Sequence, residues 1–479
     1  MAKSLTGTLD MTVGTPWKNI VRFTLPMLIG NIAQQLYSTV DTIVVGRYAS
    51  HGDNVIAAIG SALPILNMLL VLFMGISAGA GVMVAQYFGA KNRKALSVTV
   101  GNCITATAIA CAALIAVASP FIRQILIILN TPENILQWCY EYLMISLIGI
   151  AGMAYYNILS GILRGLGDSV SALIYLLIAT VINIVLDIYF VAVLHMDAAG
   201  VALATIIAQL ISSILCLIKL ARMKEHFDFG FKYLKPKAAY IKTLVKLGLP
   251  SGLTQAIISS AMIIVQSLTN QFGPQFIAGN VIIMRVDGFA MMPNFSFGMA
   301  LTTYAGQNVG AGLYDRVSKG AKQGTLMAVG CSTVITLIIL LFGKNLMGVF
   351  TETTELVNLS YRLMMILAAG YIAMAVTQSL SGIMRGAGDT LTPMWISLIT
   401  TVVVRVPLAY GISFLTTTEA LPHGRKECIQ ISLLCSWLVG AGLTTIFFSR
   451  GKWKNKAIDG KTVVKEIYVK GRIYNIVVK

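Results

Sequence analysis

The sequence predicts an all-α membrane protein: twelve transmembrane helices in two six-helix lobes, related by a pseudo-twofold axis along the membrane normal. Three observations carry this reading. Of 479 residues, 56% are hydrophobic and 11% charged, with a mean hydropathy of +0.78, whereas soluble domains hold about a quarter charged residues. The apolar residues gather in twelve blocks, near 17–46, 55–83, 95–118, 135–159, 170–194, 198–221, 239–271, 276–304, 321–342, 356–380, 391–415 and 427–448. The chain also repeats itself at an offset of 221 residues.

Each block is long enough to cross a bilayer, which takes about 20 apolar residues. A helix is the natural conformation there, because it satisfies every backbone hydrogen bond within its own segment. This composition excludes a soluble enzyme, a disordered chain and a disulfide scaffold. The seven Cys are scattered and form no C-x-x-C pair, so they are expected to be small apolar packing residues. The first sixteen residues are too polar for the apolar region of a signal peptide.

The formal net charge is +17, yet the basic residues form no folded basic domain, so no nucleic-acid partner is expected. Of the 36 Lys and Arg, 28 fall on the side of the N-terminus and five in the opposite loops; Arg285, Arg362 and Arg405 lie inside spans. The positive-inside rule then predicts cytoplasmic N- and C-termini in a multi-pass protein of the cell (plasma) membrane. The tail 449–479 is polar and basic, and reads as a small hairpin, a membrane-surface strip or a loosely ordered tail.

The repeat sets the domain organisation. SGILRGLGD at 160–168 returns as SGIMRGAGD at 381–389, and Gln86, Gly89 and Ala90 return as Gln307, Gly310 and Ala311. Tyr140, Met144 and Ile145 return as Tyr361, Met365 and Ile366. The expected division is an N-terminal lobe at 1–221, a cytoplasmic linker at 222–240, a C-terminal lobe at 241–448 and the tail. An even number of spans per half gives both halves one orientation, as in parallel-repeat transporters, whose halves enclose a cavity that opens to either side.

The paired S-G-I-x-R-G-x-G-D loops, the Q-x-x-G-A loops and QQLYSTVDTIVVGR in the first span closely resemble the multidrug and toxic-compound extrusion (MATE) family, over roughly residues 17–448. The resemblance implies a secondary active transporter, not an enzyme. It would export organic cationic or amphipathic drugs in exchange for protons or sodium by alternating access. It needs no cofactor beyond the coupling ion, H+ or Na+. Its partners would be small-molecule drugs and the lipid bilayer, and a monomer is expected. The alternative is a lipid-linked oligosaccharide flippase of the same superfamily.

Four acidic residues lie inside spans: Asp41, Glu141, Asp187 and Asp287. A carboxylate at mid-membrane costs about 2.5–3.5 kcal/mol on insertion scales, so such residues mark functional sites by default. Gln34, Tyr37 and Asp41 are spaced i, i+3, i+7 and share one helix face, as do Asn183 and Asp187 at i, i+4. The resemblance to the branch with a cation site in the N-terminal lobe implies an ion-coupling cluster of Asp41, Asn183, Asp187 and Thr205. These four would also be the metal ligands if the coupling ion is sodium. It implies Gln34, Tyr37 and Asn157 as substrate-lining residues. The second-half counterparts of Asn183 and Asp187 are Val404 and Leu408; in the first span, where Leu25-Pro26 returns as Leu249-Pro250 at an offset of 224, the counterpart of Asp41 is Val265, so the repeat is also built without these polar groups. Two carboxylates held close together would titrate as a coupled pair.

Arg285 and Asp287 face different ways on the eighth span, and Asp287 is a candidate partner for Arg405. Many members of the family carry a Glu in the seventh span, but PSGLTQAIISSAMIIVQ at 250–266 has no acid, which leaves Asp41 as the main candidate. Glu141 is expected to snorkel to the interface. The R-G-x-G-D loops follow spans rather than strands and lack a Lys-Ser/Thr, so they are not nucleotide cradles. Arg164 with Asp168, and Arg385 with Asp389, would fix the turn or cap the next helix. Met284, Met291, Met292 and Met299 would line a promiscuous cavity, face lipid or pack a lobe core. Pro26, Pro250 and Pro293 are candidate bending points.

Overall fold

The computed structural model describes residues 7–49, 52–129, 131–419, 421–455, 463–468 and 474–478. Residues 36–39, 41–42, 52–53 and 455 and the two terminal strands are described by their backbone alone. The first half contains α1 (Pro16–Tyr48), α2 (Gly52–Gly89), α3 (Arg93–Ala118), α4 (Ile122–Ile128), α5 (Glu133–Ile148), α6 (Ile150–Gly165), α7 (Ser169–Asp187) and α8 (Asp197–Arg222). After the short α9 (Phe231–Leu234), the second half contains α10 (Ala238–Gln271), α11 (Pro274–Gly310), α12 (Tyr314–Gly348), α13 (Thr354–Leu367) and α14 (Gly370–Gly386). It continues with α15 (Leu391–Leu398), α16 (Val406–Leu415) and α17 (Cys428–Ser449).

Among the described residues, nine continuous helical stretches are long and apolar enough to cross a bilayer. Two bent pairs, α5 with α6 at 51° and α13 with α14 at 48°, each supply one more. The 33-residue α1 is the twelfth helix of spanning length, since about 20 residues suffice. The fourth and tenth spans, expected as single helices, are these bent pairs; the first breaks at Gly149 and the second at Ala368–Ala369, directly before Gly370. A Cβ on Gly149 would run into Ile206 of α8, and one on Gly370 into Trp437 of α17. A neighbour's side chain fills the space at each break, the kind of local cause that sharp kinks have. The helices run on through Pro26, Pro250 and Pro293.

By packing, the chain forms two compact units. Of the described residues, one holds the stretch up to Asp10 and Leu25–Gly252; the other holds Met11–Thr24 and those from Leu253 onward. The division thus falls inside α1 and α10, where the sequence organisation places it in the 222–240 loop. In the first unit α6 packs on α2 and α8, and α7 packs on α8. Its core includes Phe73, Leu126, Tyr142, Leu143 and Leu147. In the second, α14 packs on α11, α12 and α17, around a core with Phe276, Met291, Leu363 and Tyr371.

The repeat is visible in the closest helix crossings. Gly161 of α6 sits 2.5 Å, measured from a hypothetical Cβ, from Ser77 Oγ of α2, while its counterpart Gly382 of α14 abuts the Gly298 carbonyl of α11. Small residues let backbones approach where lipid offers no hydrophobic drive to associate.

The R-G-x-G-D loops are one device used twice. Gly167 N–H donates to Arg164 O at 2.9 Å and Asp168 N–H to Leu163 O at 2.8 Å; Gly388 and Asp389 repeat this on Arg385 O and Met384 O. This is a Schellman stop, which needs a left-handed residue after the helix, and φ is +88° at Gly167 and +97° at Gly388. The aspartates then cap the next helices: Asp168 accepts from Ser171 N at 2.9 Å, and Asp389 from Thr392 N at 3.3 Å. Asp168 pairs with Lys219 at 3.5 Å, not with Arg164. Of the two roles expected of these loops, the aspartates take the capping one.

All seven cysteines are free thiols, five of them buried. In the tail, β1 (Val463–Tyr468) pairs antiparallel with β2 (Tyr474–Val478), the hairpin alternative among the three readings.

Candidate functional site

In the first lobe, α7 is apolar along most of its length but, in its C-terminal half, buries two polar side chains one turn apart. Asn183 and Asp187 are both 0% exposed. The i, i+4 spacing puts both on one face. Across that face lies α8, where Thr205 is 9% exposed and its Oγ1 accepts from Asn183 Nδ2 at 3.4 Å. Three of the four expected ion-coupling residues therefore lie on the packed faces of adjoining helices. The side chains of Asp41 and Tyr37 lie outside the described residues.

Directly after Asp187 the helix winds into a π-helical stretch, Ile188–Val193. Such stretches are rare and recur at functional sites. The π-helical stretch in the second half, Ile399–Arg405, is not at the repeat-equivalent residues.

Of the substrate-lining candidates, Gln34 is exposed and Asn157 is half-buried. Asn157 Nδ2 donates to Met153 O at 2.8 Å within its own helix, and its backbone carbonyl accepts from Ser77 Oγ at 2.6 Å. Asn157 thus braces the α2–α6 crossing as well as presenting an amide.

Chemically, Asn183, Asp187 and Thr205 offer a carboxylate, an amide and a hydroxyl in an apolar setting. Hard oxygens of this kind suit a bare alkali cation, and a buried carboxylate equally suits a proton, because desolvation disfavours its charged form. Among the described residues no group of three or more His, Cys, Asp and Glu is placed to hold a metal ion. Any cation here would rely on the amide and hydroxyl too.

The second lobe holds a different polar core. Asp287 faces Tyr371 and the Arg405 guanidinium, but among the described residues no ion pair joins Asp287 to Arg405, and Asp287 Oδ1 and Arg405 Nε are buried without hydrogen-bond partners. Nearby, Asn294 is fully buried, accepting from Ser332 Oγ at 2.6 Å and donating to Tyr371 O at 3.2 Å. Sequence reasoning missed Asn294; its signal was a lone amide beside Pro293 in an apolar run. Met291 belongs to the lobe core and Met292 is buried, whereas Met284 is exposed. Glu141 accepts from Gln137 Nε2 at 2.7 Å on the same helix.

An internally repeated helical membrane protein with polar side chains buried in its spans has the architecture of parallel-repeat transporters. The MatE family model matches residues 26–189 and 250–411, one segment in each half and together more than half the chain. The chain belongs to the MatE family. It is 28% identical over 427 residues to the "Probable multidrug resistance protein YoeA" of Bacillus subtilis, covering 87% of this chain and 92% of that one. It is 26% identical over 463 residues to the "Probable multidrug resistance protein NorM" of Thermotoga maritima, covering 94% and 96%. Among solved structures, that of a MATE protein in complex with MaL6 superposes with a TM-score of 0.85 at 21% identity, over 93% of this chain and 98% of that one. An outward-facing multidrug resistance MATE family transporter superposes with a TM-score of 0.83 at 21% identity, over 94% and 100%. These likenesses show that the fold is that of MATE transporters.

Proposed function

We propose that this chain is a secondary active multidrug exporter of the cell membrane, acting as a monomer with both termini cytoplasmic. It moves organic cationic or amphipathic compounds outward in exchange for protons or sodium by alternating access. The full burial of Asn183 and Asp187 beside Thr205, in the lobe whose repeat partner carries Val404 and Leu408 instead, carries the reading. A carboxylate that the fold does not need, held where charge is costly, is a device for taking up and releasing a cation.

In this scheme Asp41 and Asp187 hold the coupling ion, Asn183 and Thr205 complete its surroundings, and Gln34, Tyr37 and Asn157 line the path of the drug. The names of the relatives support drug efflux. One cation falling through 100 mV releases about 2.3 kcal/mol, enough for a roughly fiftyfold gradient of a neutral cargo, since each tenfold costs about 1.4 kcal/mol. The test is transport of a fluorescent cation in proteoliposomes with an imposed pH or sodium gradient, wild type beside Asp41→Asn and Asp187→Asn. Gradient-driven export lost in both variants is expected. Export that needs neither gradient, or is unchanged in both variants, overturns the proposal.

A further inference from the structure

The segment between the two halves is not a loose connection. At its start, Arg93 at the head of α3 donates to Lys224 O at 2.6 Å and Glu225 O at 2.9 Å and pairs with Asp228 at 2.7 Å. Asp228 N–H donates to Ser97 Oγ at 2.8 Å. Further along, Lys237 N–H donates to Asn102 Oδ1 at 2.6 Å, and Thr105 Oγ1 donates to Leu234 O at 2.6 Å. Gly101 leaves no room for a Cβ beside the Tyr233 carbonyl. The linker backbone therefore descends α3 from Arg93 to Thr105, about 18 Å at 1.5 Å per residue.

Along the same helix, residues 95–103 are buried, whereas Ala108, Ile109, Ala112 and Ala113 are exposed apolar side chains, the face a lipid would cover. The lower end of the linker sits within about two turns of that face. There Phe231 is 92% exposed and Phe229 42%, and Lys232, Lys235 and Lys237 are exposed beside them. Between residues 222 and 240 five basic residues face two acids, one of which, Asp228, is already paired with Arg93.

We infer that this docked linker is a membrane-interface anchor. Phe231 inserts among the acyl chains of one leaflet, and Lys232, Lys235 and Lys237 engage anionic lipid headgroups. On the orientation proposed above, that leaflet is the cytoplasmic one. Aromatic residues at a water–hydrocarbon boundary, flanked by lysines, follow the known pattern of interfacial anchoring. The rigid hydrogen bonding to α3 places Phe231 at that boundary, so little ordering cost remains when it inserts.

The test uses the full chain in vesicles with a spin label at Phe231→Cys, Cys331 and Cys435 being replaced by Ala, and a control label at Lys94→Cys on the exposed first turn of α3. Collision with oxygen and with a water-soluble nickel chelate reports depth. In phosphatidylcholine vesicles containing phosphatidylglycerol, the label at 231 is expected about 5–10 Å below the phosphates, with the control in water. In phosphatidylcholine alone, or with Lys232, Lys235 and Lys237 all changed to Gln, the label is expected to move outward. A label at 231 as nickel-accessible as the control overturns the inference. So does one shielded from both reagents, as a second copy or another protein would shield it, and so does a depth indifferent to phosphatidylglycerol.

Discussion

Replacing Asp187 by Leu separates an ion-coupling carboxylate from a structural one through the sign of the stability change. At the centre of a span Asp costs about 2.5–3.5 kcal/mol, while Leu gains about 0.3–0.6 kcal/mol. If Asp187 serves coupling alone, its replacement removes that cost, an upper bound of about 3–4 kcal/mol. For a unit of 150–250 residues, 1 kcal/mol moves the thermal midpoint by about 2–4 °C, so the rise is at most roughly 6–16 °C. If instead Asp187 holds the lobe together through buried polar contacts, removing one partner costs about 3–5 kcal/mol and the midpoint falls by a similar amount. Asp187→Asn keeps the shape and serves as the packing control. The assay is thermal unfolding of purified protein, paired with gradient-driven transport in proteoliposomes. The expected result is an unchanged or raised midpoint with transport lost. A lowered midpoint in both variants, with residual transport scaling with folded protein, refutes the reasoning.

Three further outcomes follow from the loops. Gly167→Ala is expected to destabilise the first lobe by more than about 1 kcal/mol, because the residue sits at φ +88° and its Cβ would run into the Leu9 carbonyl; the midpoint in a thermal scan checks it. Lys91 adopts φ +53° where its repeat counterpart Gly312 lies at +73°. Lys91→Gly is therefore expected to be neutral or to stabilise by about 1 kcal/mol, as the left-handed conformation penalises every residue with a Cβ. A clear drop in the midpoint would contradict that. His226, in the linker against Phe88 and Thr8, has its pKa lowered from 6.5, chiefly by burial. A base whose folded pKa is depressed contributes stability that is full above pH 6.5 and is lost as the pH falls through the folded value. Midpoints measured from pH 8 down to pH 5 should therefore fall more steeply for wild type than for His226→Gln.

The spans, their number and the twofold repeat were legible in the one-dimensional pattern. A bilayer forces each segment to satisfy its own backbone, so hydropathy, loop glycines and capping aspartates are local signals that need no partner. The i, i+4 pair Asn183 and Asp187 was readable for the same reason, since one helix face is a matter of spacing. Three features became visible only with the helices packed. One is the contact of Asn183 with Thr205 on the next helix. Another is the bends at Gly149 and directly before Gly370, made where Ile206 and Trp437 press on the breaks. The third is the linker lying along α3 instead of hanging free between the halves. Each depends on which side chain meets which across tens to more than a hundred residues, and no periodicity along the chain encodes that meeting; only the shape of the neighbouring helix does.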